Sequence, residues 1–376
     1  MHNTFPMHHY NNEHPENDPA YKGLSVNQGV EKAPVVNPYR QAKVRRQQYS
    51  ASEFVEGILA GNITMLSQAV TLVESSLPEH QLIAQEVIEK CLPHAGKSIR
   101  LGITGVPGAG KSTFIESLGM TLIRSNHKLA VLAIDPSSER SKGSILGDKT
   151  RMEELSVAKN AFIRPSPSSG SLGGVARKTR ESIILCEAAG FDTIFVETVG
   201  VGQSETSVHS MVDFFLLLQI AGAGDELQGI KRGIMEMADG IAINKCDGSN
   251  IDKAKVARAQ YQNALHLFPP HESGWSPEAI TCSSVENTGI TEIWEMVERY
   301  ISFTKENEYF VTKRTTQSKY WMYETINETL RNNFYYNPKI RPKLAAYEQR
   351  VLTDGMSSFV AAHELLDIYF KSVGND

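Results

Sequence analysis

Residues 105–113 read GVPGAGKST and follow directly on a short apolar run, 99–104, reading IRLGIT. A glycine-rich turn between a strand and a helix lets successive backbone N–H groups point inward at an anion, and a helix beginning at Lys111 adds its positive end. The pattern Gly-x-x-x-x-Gly-Lys-Ser is that of a phosphate-binding loop. Its parts have separate tasks: Lys111 reaches the β- and γ-phosphates, and the Ser112 hydroxyl is a ligand for Mg²⁺. Gly105, Val106, Pro107, Gly108, Ala109, Gly110, Lys111, Ser112 and Thr113 are therefore candidate nucleotide contacts.

A second motif specifies the base. Residues 244–247 read NKCD. A carboxylate at Asp247 accepts from both N1–H and the exocyclic amine of guanine, a donor pair that adenine lacks. Asn244 and Lys245 complete this motif. Ser283, Ser284 and Val285, after the last apolar run, take the place of the loop behind the base, with a turn at Asn287-Thr-Gly289. The expected ligand is GTP or GDP.

The chain between these motifs alternates short apolar runs with helical stretches. Candidate strands are 99–104, 130–134, 161–164, 193–197, 214–220, 240–244 and 279–281; helices are expected over 111–125, 174–189 and 252–267. Such alternation with near-continuous apolar strands predicts an α/β fold, a P-loop NTPase G domain whose mainly parallel central sheet is covered on both faces. Both motifs sit at C-terminal strand ends, where open α/β sheets bind ligands.

Flanking segments differ in character. Residues 1–48 are polar and rich in Asn, Pro and His, and read as a disordered tail. His2, His8, His9 and His14 lack metal-ligand spacing and read as solvated. Residues 49–97 read as a helical preface, with Phe54, Val55, Ile58 and Leu59 on one face, Leu82, Ile83, Val87, Ile88 and Leu92 on another, and Ser52 as first cap. The GTPase domain is assigned to 98–305 and a C-terminal helical arm to 306–376. Helices at 316–334, 343–352 and 357–371, interrupted by Pro338 and Pro342, give that arm an aromatic face that either covers the G domain or pairs with another subunit.

Composition narrows the partners. A net charge of −5 argues against nucleic acid. Cys91, Cys186, Cys246 and Cys282 are scattered and fit a reducing compartment. No run approaches the ~20 apolar residues needed to span a bilayer, and the N-terminus has neither a basic n-region nor an apolar h-region. The cytoplasm is expected, with no membrane partner.

Oxygen-bearing residues gather at strand ends and in Gly-rich loops. Asp135 follows 130–134. Asp148 lies in the stretch 143–151, either near the phosphates or as an exposed loop acid. Glu197 ends 193–197 and opens Glu-Thr-Val-Gly, in the form of a Walker B and switch II segment. Ser112, Asp135, Asp148 and Glu197 are candidate Mg²⁺ ligands. Val201 directly follows the Gly200 of that segment, where a catalytic Gln often stands, and Gln203 lies two residues further on. Valine cannot orient a water, so slow intrinsic hydrolysis that a partner accelerates is expected. The loop 221–231 carries Asp225, Gln228 and Lys231, which either read nucleotide state and touch a partner or form a solvated connection.

GVPGAGKST, AIDPSS, GSILGDKTRM, FVETVGVGQSE, AGAGDELQGIKRGI, NKCDG and TCSS, in this order, resemble the MeaB/ArgK family of P-loop GTPases over about residues 50–372. The resemblance implies a G-protein chaperone of an adenosylcobalamin-dependent acyl-CoA mutase, methylmalonyl-CoA mutase first among them, with adenosylcobalamin belonging to the mutase. It implies Mg²⁺ among Ser112, Asp135, Asp148 and Glu197, switches at 143–151 and 197–205, a further switch at Asp225–Lys231 through which the mutase stimulates hydrolysis, and a homodimer made by the arm. Lys111, Glu197, Asp225, Gln228 and Lys231 are the expected hydrolytic machinery. Cys246 and Ser284 depart from the family's usual alanines. A nickel-insertion GTPase and a transport-system kinase are the alternatives.

Overall fold

The computed structural model describes residues 49–135, 152–167, 172–198, 204–222 and 232–373. The polar tail, with its four histidines, lies outside them. The apolar runs become seven strands: β1 (Ile99–Gly105), β2 (Leu129–Asp135), β3 (Ala161–Pro167), β4 (Thr193–Thr198), β5 (Phe214–Ile220), β6 (Gly240–Asn244) and β7 (Glu278–Thr281). They form one sheet in the order β3-β2-β4-β1-β5-β6-β7, and every neighbouring pair is parallel. The expected α/β class is thus the observed one. A sheet of this kind needs apolar side chains on both of its faces, and β5 meets that demand, with Phe214 to Leu218 all buried.

Helices cover both faces. In the strand connections lie α4 (Lys111–Arg124), α5 (Glu153–Val157), α6 (Leu172–Ala188), α7 (Ser204–His209), α8 (Arg232–Met237) and α9 (Ile251–Leu265), preceded by α1 (Ala51–Leu59), α2 (Ile63–Glu74) and α3 (Pro78–Cys91), and α10 (Ile290–Glu306) follows the last strand. After them come α11 (Tyr309–Tyr335), α12 (Arg341–Leu352) and α13 (Ser358–Val373). Phe214 meets Tyr300 of α10 edge to face at 5.1 Å, whereas Phe215, one residue on, meets His209 of α7 at 5.6 Å. Strand alternation therefore puts α7 and α10 on opposite faces. Close packing under α7 depends on a missing side chain in β1: a Cβ at Gly102 would stand 2.8 Å from the Phe215 ring and 3.0 Å from Val208.

Two details of the preface correct the sequence reading. The first cap is Ser50 rather than Ser52: its side chain accepts from the Glu53 N–H, and the Glu53 carboxylate accepts from the Ser50 N–H at 2.7 Å. A capping box needs its acid three residues on, and Ser52 has Val55 there. Along α3 the buried stripe is Ala84, Val87 and Cys91. Leu82 leaves the opposite side, 71% exposed, and Leu92 falls in the following 3₁₀ turn.

Charged side chains fasten the outer elements to the N-terminal edge of the sheet. Glu187 at the end of α6 accepts from the Ser98 hydroxyl at 2.6 Å and from Arg100 Nε at 2.9 Å. Arg314 of α11 forks onto the buried Asp213 carboxylate at 2.7 and 2.8 Å and also donates to the carbonyls of Ser98 and Gly96. Lys313 donates to the Asp213 carbonyl at 2.6 Å. Beyond Trp321, α11 runs on, and α13 folds back to it where the Phe334 and Tyr369 rings meet at 5.4 Å. Among the described residues no helix is long and apolar enough to cross a membrane.

Candidate functional site

Strand order sets the site. β1 and β4 are neighbours, with Ile103 opposite Glu197, and β5 flanks β1 on the other side, with Gly105 opposite Leu218. The chain leaves β1 into 106–110 and re-enters the regular structure as α4 at Lys111. Gly110 has φ +83°, and a Cβ there would stand 3.0 Å from Asn244 Nδ2, so this turn admits glycine alone. The loop is closed by Ala109 N–H donating to Val106 at 3.1 Å.

Lys111 is folded back over the loop. Its ammonium donates to the Gly105 carbonyl at 2.9 Å and to Val106 at 3.4 Å. Burial pushes its pKa below the usual lysine value, and the carboxylates of Glu197 and Glu205 oppose that shift. Glu197 is itself only 6% exposed. A cation lodged on two carbonyls, with two buried carboxylates acting on it, is a group ready to exchange those carbonyls for phosphate oxygens. Beneath the loop, the Thr198 hydroxyl donates to Thr104 at 2.8 Å, joining the ends of β4 and β1.

The base-specifying motif is tied to the phosphate loop by one side chain. Asn244 Nδ2 donates to the Ala109 carbonyl at 2.8 Å, while its Oδ1 accepts from the Ser284 N–H at 3.1 Å and the Ser284 hydroxyl at 2.8 Å. Asp247 accepts from the Ser283 hydroxyl at 2.6 Å, and the Cys246 N–H donates to the Cys282 carbonyl at 2.9 Å. Burial pushes the Cys282 thiol up to about 12, so it stays protonated at neutral pH. Ser117 on α4 donates to Asn287 at 2.7 Å, bracing the turn expected at 287–289. Lys245 and Val285 are exposed.

The structure thus gathers residues 105–113 with Asn244, Asp247, Ser283, Ser284 and Glu197 at one edge. Asp135 ends β2, whose Ala133 pairs with Glu197. Asp148, Val201, Gln203, Asp225, Gln228 and Lys231 lie outside the described residues. Sequence reading missed Glu205, which is 1% exposed and acts on Lys111. Its signal was an acid in the first turn of the helix after Glu197. For Mg²⁺, the donors in question are hydroxyl and carboxylate oxygens, the hard set that this ion takes. Among the described residues no three His, Cys, Asp or Glu side chains form a group that could hold a metal.

Comparison with known proteins agrees with this geometry. A family model described as methylmalonyl-CoA mutase-associated GTPase MeaB matches residues 66–339. GTPase ArgK of Escherichia coli is 49% identical over 286 residues, 76% of this chain and 86% of that protein. The mitochondrial methylmalonic aciduria type A homolog of Mus musculus is 44% identical over 337 residues, 87% of this chain and 81% of that protein. A crystal structure described as an LAO/AO transport system kinase is 39% identical and superposes with a TM-score of 0.68, covering 84% of this chain and 96% of that one.

Proposed function

The chain belongs to the MeaB family of P-loop GTPases, and from that premise we propose that it is the G-protein chaperone of an adenosylcobalamin-dependent acyl-CoA mutase, methylmalonyl-CoA mutase first. GTP hydrolysis is its chemistry; gating of cofactor loading and protection of the mutase is the use made of it. The observation that carries this reading is the match of residues 66–339 to a family described by its association with that mutase.

The site supports a slow, partner-timed hydrolysis. Residues 105–113 would cradle the phosphates, Lys111 would move from its two carbonyls to the β- and γ-phosphates, and Asp247 would read guanine with Ser283 and Ser284 behind it. Ser112, Asp135, Asp148 and Glu197 would hold Mg²⁺, which when bound neutralises charge on the phosphate oxygens. No glutamine directly follows Gly200, so the water-orienting group must come from elsewhere. We assign that role to the loop carrying Asp225, Gln228 and Lys231 once a mutase engages it.

The arm supports a homodimer. Tyr323, Ile326 and Leu330 are about half exposed along one side of α11, and Phe359 and Phe370 of α13 are more so; a second copy would cover such surface. The four free cysteines fit a cytoplasmic setting.

The test is GTP turnover by the purified protein alone and with methylmalonyl-CoA mutase from the same organism. Slow turnover that rises at least about tenfold with the mutase is expected for a stimulated GTPase, and Lys231→Ala should keep the slow rate while losing the stimulation. Turnover that the mutase leaves unchanged removes this client.

A further inference from the structure

The helix that follows Glu197 is held at its two ends by different parts of the protein. At its start, the buried Glu205 carboxylate acts on Lys111 of the phosphate loop. Its body lies on β1, the strand that delivers that loop, with Val208 packed into the space left by Gly102. At its exit, three carbonyls in four residues are taken by α11. Gln317 Nε2 donates to Val212 at 2.9 Å and to His209 at 3.4 Å, and Trp321 Nε1 donates to Ser210 at 3.0 Å. Both side chains are buried, at 7% and 6% exposure.

Arg180 of α6 secures the same turn of α11 from behind. It donates to the Gln317 carbonyl and the Ser318 hydroxyl, each at 2.9 Å, and its guanidinium lies 5.8 Å from the Trp321 ring. The clamp is therefore made of buried side-chain donors, and it grips main-chain carbonyls. A side-chain substitution within 209–212 would leave those carbonyls in place, so the contact reads where the backbone goes. Just beyond Trp321 the exposed apolar side of α11 begins, with Tyr323, Ile326 and Leu330.

We propose that Gln317 and Trp321 are positioning residues for GTP hydrolysis: they make α7 and α11 one mechanical unit, so that a displacement of α7 on exchange of GDP for GTP is passed to the arm, and a load on the arm is passed back to Glu205 and Lys111. The inference rests on the GTPase activity alone and holds whichever client the protein serves. It makes the arm more than a fixed dimer plate, because its root touches the segment that follows the nucleotide.

Hydrogen exchange of the full-length protein, read by mass spectrometry on peptides from 309–335, tests this with GDP and with a non-hydrolysable GTP analogue, each with Mg²⁺. Exchange in that helix is expected to differ between the two nucleotides in the wild type. In Gln317→Met with Trp321→Phe, which remove the donors while leaving both side chains large and apolar, the difference should vanish, with kcat for GTP lowered about fivefold and KM within about twofold, the equivalent in rate of one net hydrogen bond among the three removed. Trp321→Phe alone should show an intermediate difference. Equal exchange of the wild-type helix in both nucleotides overturns the proposal. So does a nucleotide dependence that survives undiminished in either variant. A purely structural role would lower protection equally in both nucleotide states and leave their difference intact.

Discussion

Asn244→Ala is the perturbation that best separates one linked site from two independent loops. The side chain is 2% exposed and makes three hydrogen bonds at 3.1 Å or less, to Ala109, to the Ser284 N–H and to the Ser284 hydroxyl. Each is worth about 1 kcal/mol net when both partners are buried, so the truncation should cost about 3 kcal/mol of folding free energy. Ser284→Ala removes only the hydroxyl bond and should cost about 1 kcal/mol. Without the tether, the phosphate loop and the guanine loop must be brought together by the nucleotide itself. If half of the lost 3 kcal/mol reappears as an ordering cost, GDP binding weakens about tenfold. Urea denaturation gives the first quantity and titration with a fluorescent GDP the second. A variant within 1 kcal/mol of the wild type that binds GDP unchanged would refute the idea that Asn244 holds the two loops in register.

Three further outcomes are expected. Asp247→Asn should weaken GTP binding by at least about tenfold while the urea midpoint stays near wild type, since the Ser283 hydroxyl keeps an acceptor there; equal GTP affinity would remove the base-reading role. Arg314→Ala should destabilise the protein by about 3–5 kcal/mol, because the Asp213 carboxylate, almost wholly buried, loses its fork of guanidinium donors; Arg314→Lys should recover only part of this, as a point charge does not match the fork. Burial, with the Lys313 ammonium beside it, pushes the His209 imidazole down to about 4. The unfolded chain binds this proton near pH 6.5 and the folded one does not. Stability from this group is therefore complete above pH 6.5 and is lost as the pH falls towards 4. Urea midpoints at pH 7.5 and 4.5 should lie closer together in His209→Phe than in the wild type.

How legible this protein was varied with the kind of bond that holds each part. The strands were readable because a doubly covered parallel sheet forces unbroken apolar runs such as FFLLLQI, and each of the seven begins within one residue of its expected start. The phosphate loop and NKCD were readable because their chemistry depends on backbone and carboxylate at fixed spacing. The root of α11 was not: the helix starts at Tyr309, seven residues before the expected 316, because that turn is held by Lys313 and Arg314 to carbonyls and to Asp213 rather than by an apolar stripe. Polar contacts across about 100 residues of sequence leave no periodicity to read. Glu205 escaped for a similar reason, since an acid in a first helical turn is ordinary until burial lets its charge act on a lysine.

The length of α11 turns small angles into usable distances. Its 27 residues span about 40 Å, and about 21 Å of that lies beyond Trp321. A tilt of about 10° at that fulcrum would carry the far end, at Tyr335, through about 4 Å, the width of a side chain at an interface. Motions too slight to matter at a phosphate would then suffice to make or break contacts at the tip, and a partner holding the tip would work against the nucleotide with the same mechanical advantage reversed.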